Sequence, residues 1–171
     1  MMLKETKFEK VSKKQFVNDW MDTFSSSDYP IAADIYEKIK LPERATKGSA
    51  GYDFFAPFDI YLKPGETIKI PTGIRVKMDP EWVLTLYPRS GLGFKYRLQL
   101  NNTVGVIDED YYYSSNEGHI FAKITNDSNE GKIVTVKRGE GFMQGIFLPF
   151  GIIPGDNTEK IRDGGFGSTN G

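Results

Sequence analysis

From about Pro42 onward the chain is cut into short runs of β-branched and aromatic residues, and this punctuation constrains the fold more than any other feature. "YDFFAPFDIYL", "TIKIPTGIRVKM", "EWVLTLYP", "TVGVID", "HIFAKITN", "KIVTVK" and "FMQGIFLPF" follow one another with the turn residues of "KPGE", "PTG" and "RGEG" between them. Such runs suit a half-buried pleated surface, and Gly, Pro, Asn and Asp supply the reversals. Strands in series with almost no helical periodicity between them predict an all-β sandwich, jelly roll or barrel.

The first segment reads differently. Ser12 followed by Gln15 is a capping-box pattern, and Phe16, Trp20 and Phe24 recur every four residues, which predicts a helix ended by "SSSDYP". Its aromatic stripe suits packing on the β body or docking a partner, and the residues leave both open. At the other end "RDGGFGSTNG" is too rich in glycine for a packed strand and reads as a mobile tail unless something captures it. The expected division is a helical extension over 1–28, a β domain over 29–160 and a tail over 161–171.

Composition narrows the chemistry. With no cysteine, thiol catalysis and cysteine-ligated zinc are excluded, and a single histidine, His119, argues against Ser–His–Asp triads and His-rich metal sites. Acid–base work then falls to carboxylates, Tyr or Lys. Lys+Arg 22 against Asp+Glu 23 gives a net charge of -1, which argues against a general nucleic-acid coat. The longest apolar stretch, "GFMQGIFLPFGII", is broken by Gln144, Pro149 and glycines, so no membrane span is expected. The Lys/Glu-rich start lacks the pattern of a signal peptide, and a cytoplasmic protein is expected.

Four features carry candidate chemistry. "PRSGLGFK" sets Arg89, Ser90 and Gly91 on an expected turn after a strand. A forked cation, a hydroxyl and an approachable backbone suit phosphate, though ordinary surface turns share that spelling. "TVGVID" ends in Asp108 with Asp110 and Tyr111 close behind. A carboxylate there can orient and deprotonate water, a ring offers a flat face to a sugar or base, and the plain alternative is a solvated acidic turn. Gln144 lies inside an apolar run, where its amide needs partners from backbone or from a polar site. "GGFGST" has the look of a phosphate cradle but lacks the Gly-Lys-Ser/Thr ending of a P-loop.

In this order "AGYDFFAP", "PRSGLGFK", "NNTVGVIDEDYY", "GEGFMQGIF" and "GGFGSTNG" resemble the five ordered motifs of the trimeric, all-β dUTP pyrophosphatases (dUTPases), over roughly Leu41 to Gly171. The resemblance implies a jelly-roll-like β-barrel and a homotrimer whose active sites lie at subunit junctions and are closed by the C-terminal tail. It implies hydrolysis of dUTP to dUMP and pyrophosphate, with Mg2+ carried on the triphosphate. That reaction limits uracil in DNA and supplies dUMP for thymidylate synthesis. By the match Asp108 activates the water, Asn102 and the backbone of Gly105, Val106 and Ile107 in a hairpin read uracil, and Tyr111 packs on the deoxyribose. Arg89, Ser90 and Gly91 take the phosphates, with Gln144 positioning phosphate or water. Asp53 matches the first motif's acid, supporting the metal's water shell or the site's architecture. Arg162, Phe166, Gly167, Ser168 and Thr169 match the tail, with Phe166 stacking on uracil and the others on the γ-phosphate.

The chain departs from the family's pattern in three places. "RDGGF" brings Arg162 one residue closer to Phe166 than in the usual Arg-Gly-x-Gly-Gly-Phe. "YYSSNEG" lengthens the loop after Tyr111, leaving Tyr112 and Tyr113 with loop packing as their plain reading, and the N-terminal helix is an addition. That loop and helix leave room for a regulatory protein partner, which nothing else supports. A dCTP deaminase shares the fold but lacks the Asp-Tyr pair and the closing tail.

Overall fold

The structure, a computed structural model, describes residues 3–25, 28–160 and 162. The chain opens with strand β1 (Lys7–Lys10), helix α1 (Lys13–Phe24) and helix α2 (Tyr29–Glu37). Strands β2 (Tyr52–Phe55), β3 (Ile60–Leu62), β4 (Thr67–Pro71), β5 (Ile74–Lys77) and β6 (Trp82–Pro88) follow. Helix α3 (Ser90–Tyr96), β7 (Leu98–Leu100), β8 (Gly105–Ile107) and a 3-10 turn (Glu109–Tyr113) come next. Strands β9 (Phe121–Asn126), β10 (Val134–Val136) and β11 (Gly141–Pro149) complete the body.

The strands form sheets ordered β2-β11-β6-β8, β4-β9-β7, β1-β5 and β3-β10, and every pairing is antiparallel among the described residues. Alternation sets their faces: Ala122, Ile124 and Asn126 of β9 point in, as do Val134 and Val136 of β10. In β11 a register shift against β2 between Gly141 and Met143 turns two neighbours, Phe142 and Met143, into the core. Fully buried Phe54, Ile70, Leu84, Ile120 and Phe142 centre that core.

Helix α1 begins where the sequence places it, with Ser12 Oγ accepting from the Gln15 N–H at 3.1 Å. The reciprocal half of the capping box comes from elsewhere. Glu117, in the loop after the 3-10 turn, accepts from Ser12 N and from Ser12 Oγ, both at 2.7 Å. The aromatic stripe packs inward, with Phe16 and Trp20 buried and Phe24 against Trp20 and Phe58. Gly73 makes room for the helix: its φ is +74°, and a Cβ would stand 2.3 Å from Ile39 Cδ1 and 3.2 Å from the Phe16 ring.

Several elements depart from the sequence expectation. Strand β1 pairs with β5, and Glu9 joins Arg75 at 3.2 Å and the Tyr112 hydroxyl at 2.6 Å. "SSSDYP" does more than end α1, since Asp28 caps α2 by accepting from Ile31 N at 3.4 Å and Pro30 sits in its first turn. "PRSGLGFK" is a helix rather than a turn. Its glycines are poor helix formers, but half-buried Leu92 and Tyr96 pack on the core and anchor it. Nor is the stretch ending at Asp108 a hairpin, because β7 pairs with β9 whereas β8 pairs with β6. The segment turns a corner between two sheets.

Candidate active site

Strand β8 is an edge strand. One side bonds to β6, with Gly105 opposite Leu86 and Ile107 opposite Leu84, and no strand among the described residues covers the other. The pairing is close, since a Cβ on Gly105 would lie 2.9 Å from Leu86 Cβ. Gly105 and Ile107 are buried and Val106 is exposed, so the open edge offers backbone N–H and C=O groups rather than bulk.

Beside that edge lies a cavity of about 880 Å³, a size suited to a nucleotide. Asn101 and Asn102 line it from the corner loop, Val104 to Asp108 from β8 and its end, and Tyr111 from the 3-10 turn. Six sequence candidates thus meet here: Asn102, Gly105, Val106, Ile107, Asp108 and Tyr111. Arg162 joins them as the tail begins, with its Nη2 on Asp108 Oδ2 and its Nε 3.0 Å from Asp110 Oδ1. The Asp108 carboxylate remains 46% exposed, open enough to meet a ligand.

Tyr111 is buried, at 3% exposure, yet it forms part of the cavity wall. Its hydroxyl donates to the His119 carbonyl at 2.7 Å and accepts from Asn116 Nδ2 at 2.8 Å. Burial pushes its pKa up to about 12, so the hydroxyl keeps its proton throughout the neutral range.

The phosphate candidates gather elsewhere. Arg89, Ser90 and Gly91 stand exposed where β6 enters α3, and none of them lines the cavity. Arg89 Nε lies 3.3 Å from Asp53 Oδ1, and its chain passes over Gly141, where a Cβ would come within 2.9 Å of Arg89 Cδ. Gln144 faces Asp53 across β11 and β2 and donates from Nε2 to the Pro88 carbonyl at 3.3 Å. Within one chain the candidates therefore form two groups. Phe166, Gly167, Ser168 and Thr169 lie outside the described residues.

Two acids absent from the sequence reading also line the cavity, Asp19 and Asp22 of α1, together with Lys69 and Lys123. Local pattern could not reveal them, because the helix is folded over the site by contacts distant in sequence. Among the described residues no group of three or more His, Asp or Glu side chains is placed to hold a metal ion.

An all-β body with this strand order and a cavity at the β8 edge has the fold of the dUTPases. A dUTPase of Streptococcus mutans matches at a TM-score of 0.63 and 35% identity, covering 86% of this chain and 98% of that one. The dUTPase of phage phi11 of S. aureus, described as coordinating a structural Mg(II) ion, shares the fold at a TM-score of 0.62 and 20% identity, covering 92% and 98%. In sequence, residues 37–170 match the dUTPase family. The deoxyuridine 5'-triphosphate nucleotidohydrolase of Lactococcus lactis is 46% identical over 134 residues, 77% of this chain and 88% of that protein. The chain belongs to the dUTPase family, the enzymes that hydrolyse dUTP to dUMP.

Proposed function

We propose that a water held by Asp108 attacks the α-phosphorus of dUTP. The new bond joins the water oxygen to that phosphorus as the bond to the α,β-bridging oxygen breaks. The water's proton passes to the Asp108 carboxylate, and dUMP and pyrophosphate leave. The single observation that supports this most is the meeting of a free backbone edge, an exposed aspartate and a tyrosine wall in one nucleotide-sized cavity. Asn102 and the backbone of Gly105, Val106 and Ile107 read the uracil edge. Cytosine reverses the donor–acceptor pattern and would leave buried groups unpaired. The Tyr111 ring packs on C2′ of the deoxyribose, where a ribose hydroxyl would clash.

Arg89, Ser90 and Gly91 bind phosphate oxygens with help from Gln144, and Asp53 steadies Arg89 from 3.3 Å. That this group does not line the β8 cavity of its own chain supports a homotrimer in which a neighbouring subunit supplies it. The tail, residues 161–171, is a closing segment distinct from the extension over 1–28 and the domain over 29–160. Arg162 and the residues from Gly167 to Thr169 grip the γ-phosphate, and Phe166 stacks on uracil.

Mg2+ carried on the triphosphate would offset its charge. An open cavity with Asp108 in its wall, and Asp110 beside it on Arg162, fits an ion that keeps waters and phosphate oxygens as ligands. We assign the reaction to the cytoplasm. Pyrophosphate release measured over a panel of nucleoside triphosphates tests the assignment, with dUTP turned over and dCTP, dTTP and UTP left nearly untouched. Comparable turnover of dCTP, or its conversion to a uracil nucleotide, would overturn it.

A further inference from the structure

Helix α1 lies before the residues that match the family, 37–170, yet it forms part of the cavity wall through Asp19 and Asp22. Asp19 does more than face the cavity. Its Oδ2 accepts from Gln15 Nε2 at 2.9 Å and lies 2.5 Å from Nδ1 of His119, a histidine with no exposed surface. His119 Nε2 accepts the Gly73 N–H at 2.8 Å, so the neutral ring carries its proton on Nδ1 and donates it to Asp19. The imidazole sits between Phe16 of α1, at 6.1 Å between centroids, and Phe121, at 4.5 Å, and Phe121 itself lines the cavity. The carbonyl of His119 holds the Tyr111 hydroxyl at 2.7 Å.

These contacts form one continuous path: Asp19 to the His119 ring, the His119 carbonyl to the Tyr111 hydroxyl, and the Tyr111 ring to the cavity. We propose that Asp19 is a positioning residue for dUTP hydrolysis, and that the N-terminal helix sets sugar discrimination by fixing Tyr111 through His119. The inference rests on the reading above that Tyr111 packs against the deoxyribose. Physically, a buried N–H that loses its carboxylate must find another acceptor, so removing Asp19 drives His119 to move or turn. Its carbonyl, and the ring hung from it, move too. A displacement of about 1 Å in a positioning group is enough to cost up to about 10²-fold in rate.

The test uses the full-length enzyme, with kcat and KM for dUTP and UTP measured well below each variant's melting temperature. Asp19→Ala lowers kcat/KM for dUTP, by up to about 10²-fold, more than for UTP, and so narrows the dUTP/UTP ratio. Asp19→Asn keeps an oxygen for the His119 N–H and restores most of the ratio. Tyr111→Phe keeps the ring but cuts the tether and narrows the ratio in the same direction. The double variant Asp19→Ala/Tyr111→Phe is no worse than the more impaired single one, because both cut one path.

A helix that merely covers the core would give an Asp19→Ala enzyme with a lower melting temperature and an unchanged ratio, and that result overturns the proposal. Additive losses in the double variant overturn it too. If Asp19→Ala does not fold, Tyr111→Phe decides alone, and an unchanged ratio overturns the tether. Tyr111→Ala separates the two layers. If it leaves the ratio unchanged, the sugar-platform reading falls and takes this inference with it. If it alone changes the ratio, only the inference falls.

Discussion

Asp108 ends an edge strand with its carboxylate half exposed and its nearest cation, Arg162, borrowed from the start of the tail. In the proposed reaction the acid must be free to take a proton from water, while the arginine turns to phosphate. Asp108→Asn should therefore bind a non-hydrolysable dUTP analogue about as well as the parent and lose roughly 10²- to 10⁴-fold in kcat. Calorimetry and steady-state rates check the two halves, and an active variant would remove the general base from the scheme. Arg162→Ala should raise KM for dUTP while leaving dUMP affinity unchanged, since dUMP lacks the γ-phosphate. Equal changes for both ligands would place the arginine's role in holding Asp108 and Asp110. At this scale the sequence was informative where chemistry and strand position coincide. Asp108 and Tyr111 stand out as residues, and Asn102 through the family match, whereas nothing in the local pattern around Asp19 marks it. Only its buried partner, His119, distinguishes it, and that contact spans 100 positions.

Among the elements, those with strong local signals were readable and those held by distant partners were not. Strand β11 and helix α1 announce themselves by composition, periodicity and a cap. Strand β1, "KFEK", has only Phe8 as an apolar anchor, and it is held by pairing with β5 and by the Glu9–Arg75–Tyr112 cluster. Helix α3 was hidden by its glycines. The cluster at β1 makes a pH prediction. Hydrogen bonds from Lys7 and then from Tyr112 lower the Glu9 pKa from 4.5 to about 2. A carboxylate with a depressed folded-state pKa contributes its stability fully above the unfolded value and loses it as pH falls through the folded one. The melting-temperature gap between the parent and Glu9→Gln should accordingly be constant above about pH 4.5 and shrink as pH falls toward 2. A gap that stays constant down to the lowest pH would show that the charge on Glu9 does not hold β1.

For the molecule as a whole, the single chain leaves large apolar side chains in water. Phe94 is 98% exposed, Ile152 65% and Ile153 76%. The all-β class was readable from turn spacing alone. That the two candidate groups stand apart was not, because sequence order says nothing about which surfaces meet across copies. Light scattering should report three times the 19.3 kDa chain mass. The most direct test of the divided site is complementation between two inactive variants, Asp108→Asn and Arg89→Ala, refolded or co-expressed together. If Asp108 of one subunit works with Arg89 of the next, every mixed trimer regains one intact site, and equal random mixing restores about a quarter of all sites. Activity near that level is the expected result. Mixed trimers as inactive as either parent variant would mean that each chain completes its own site, contradicting the account.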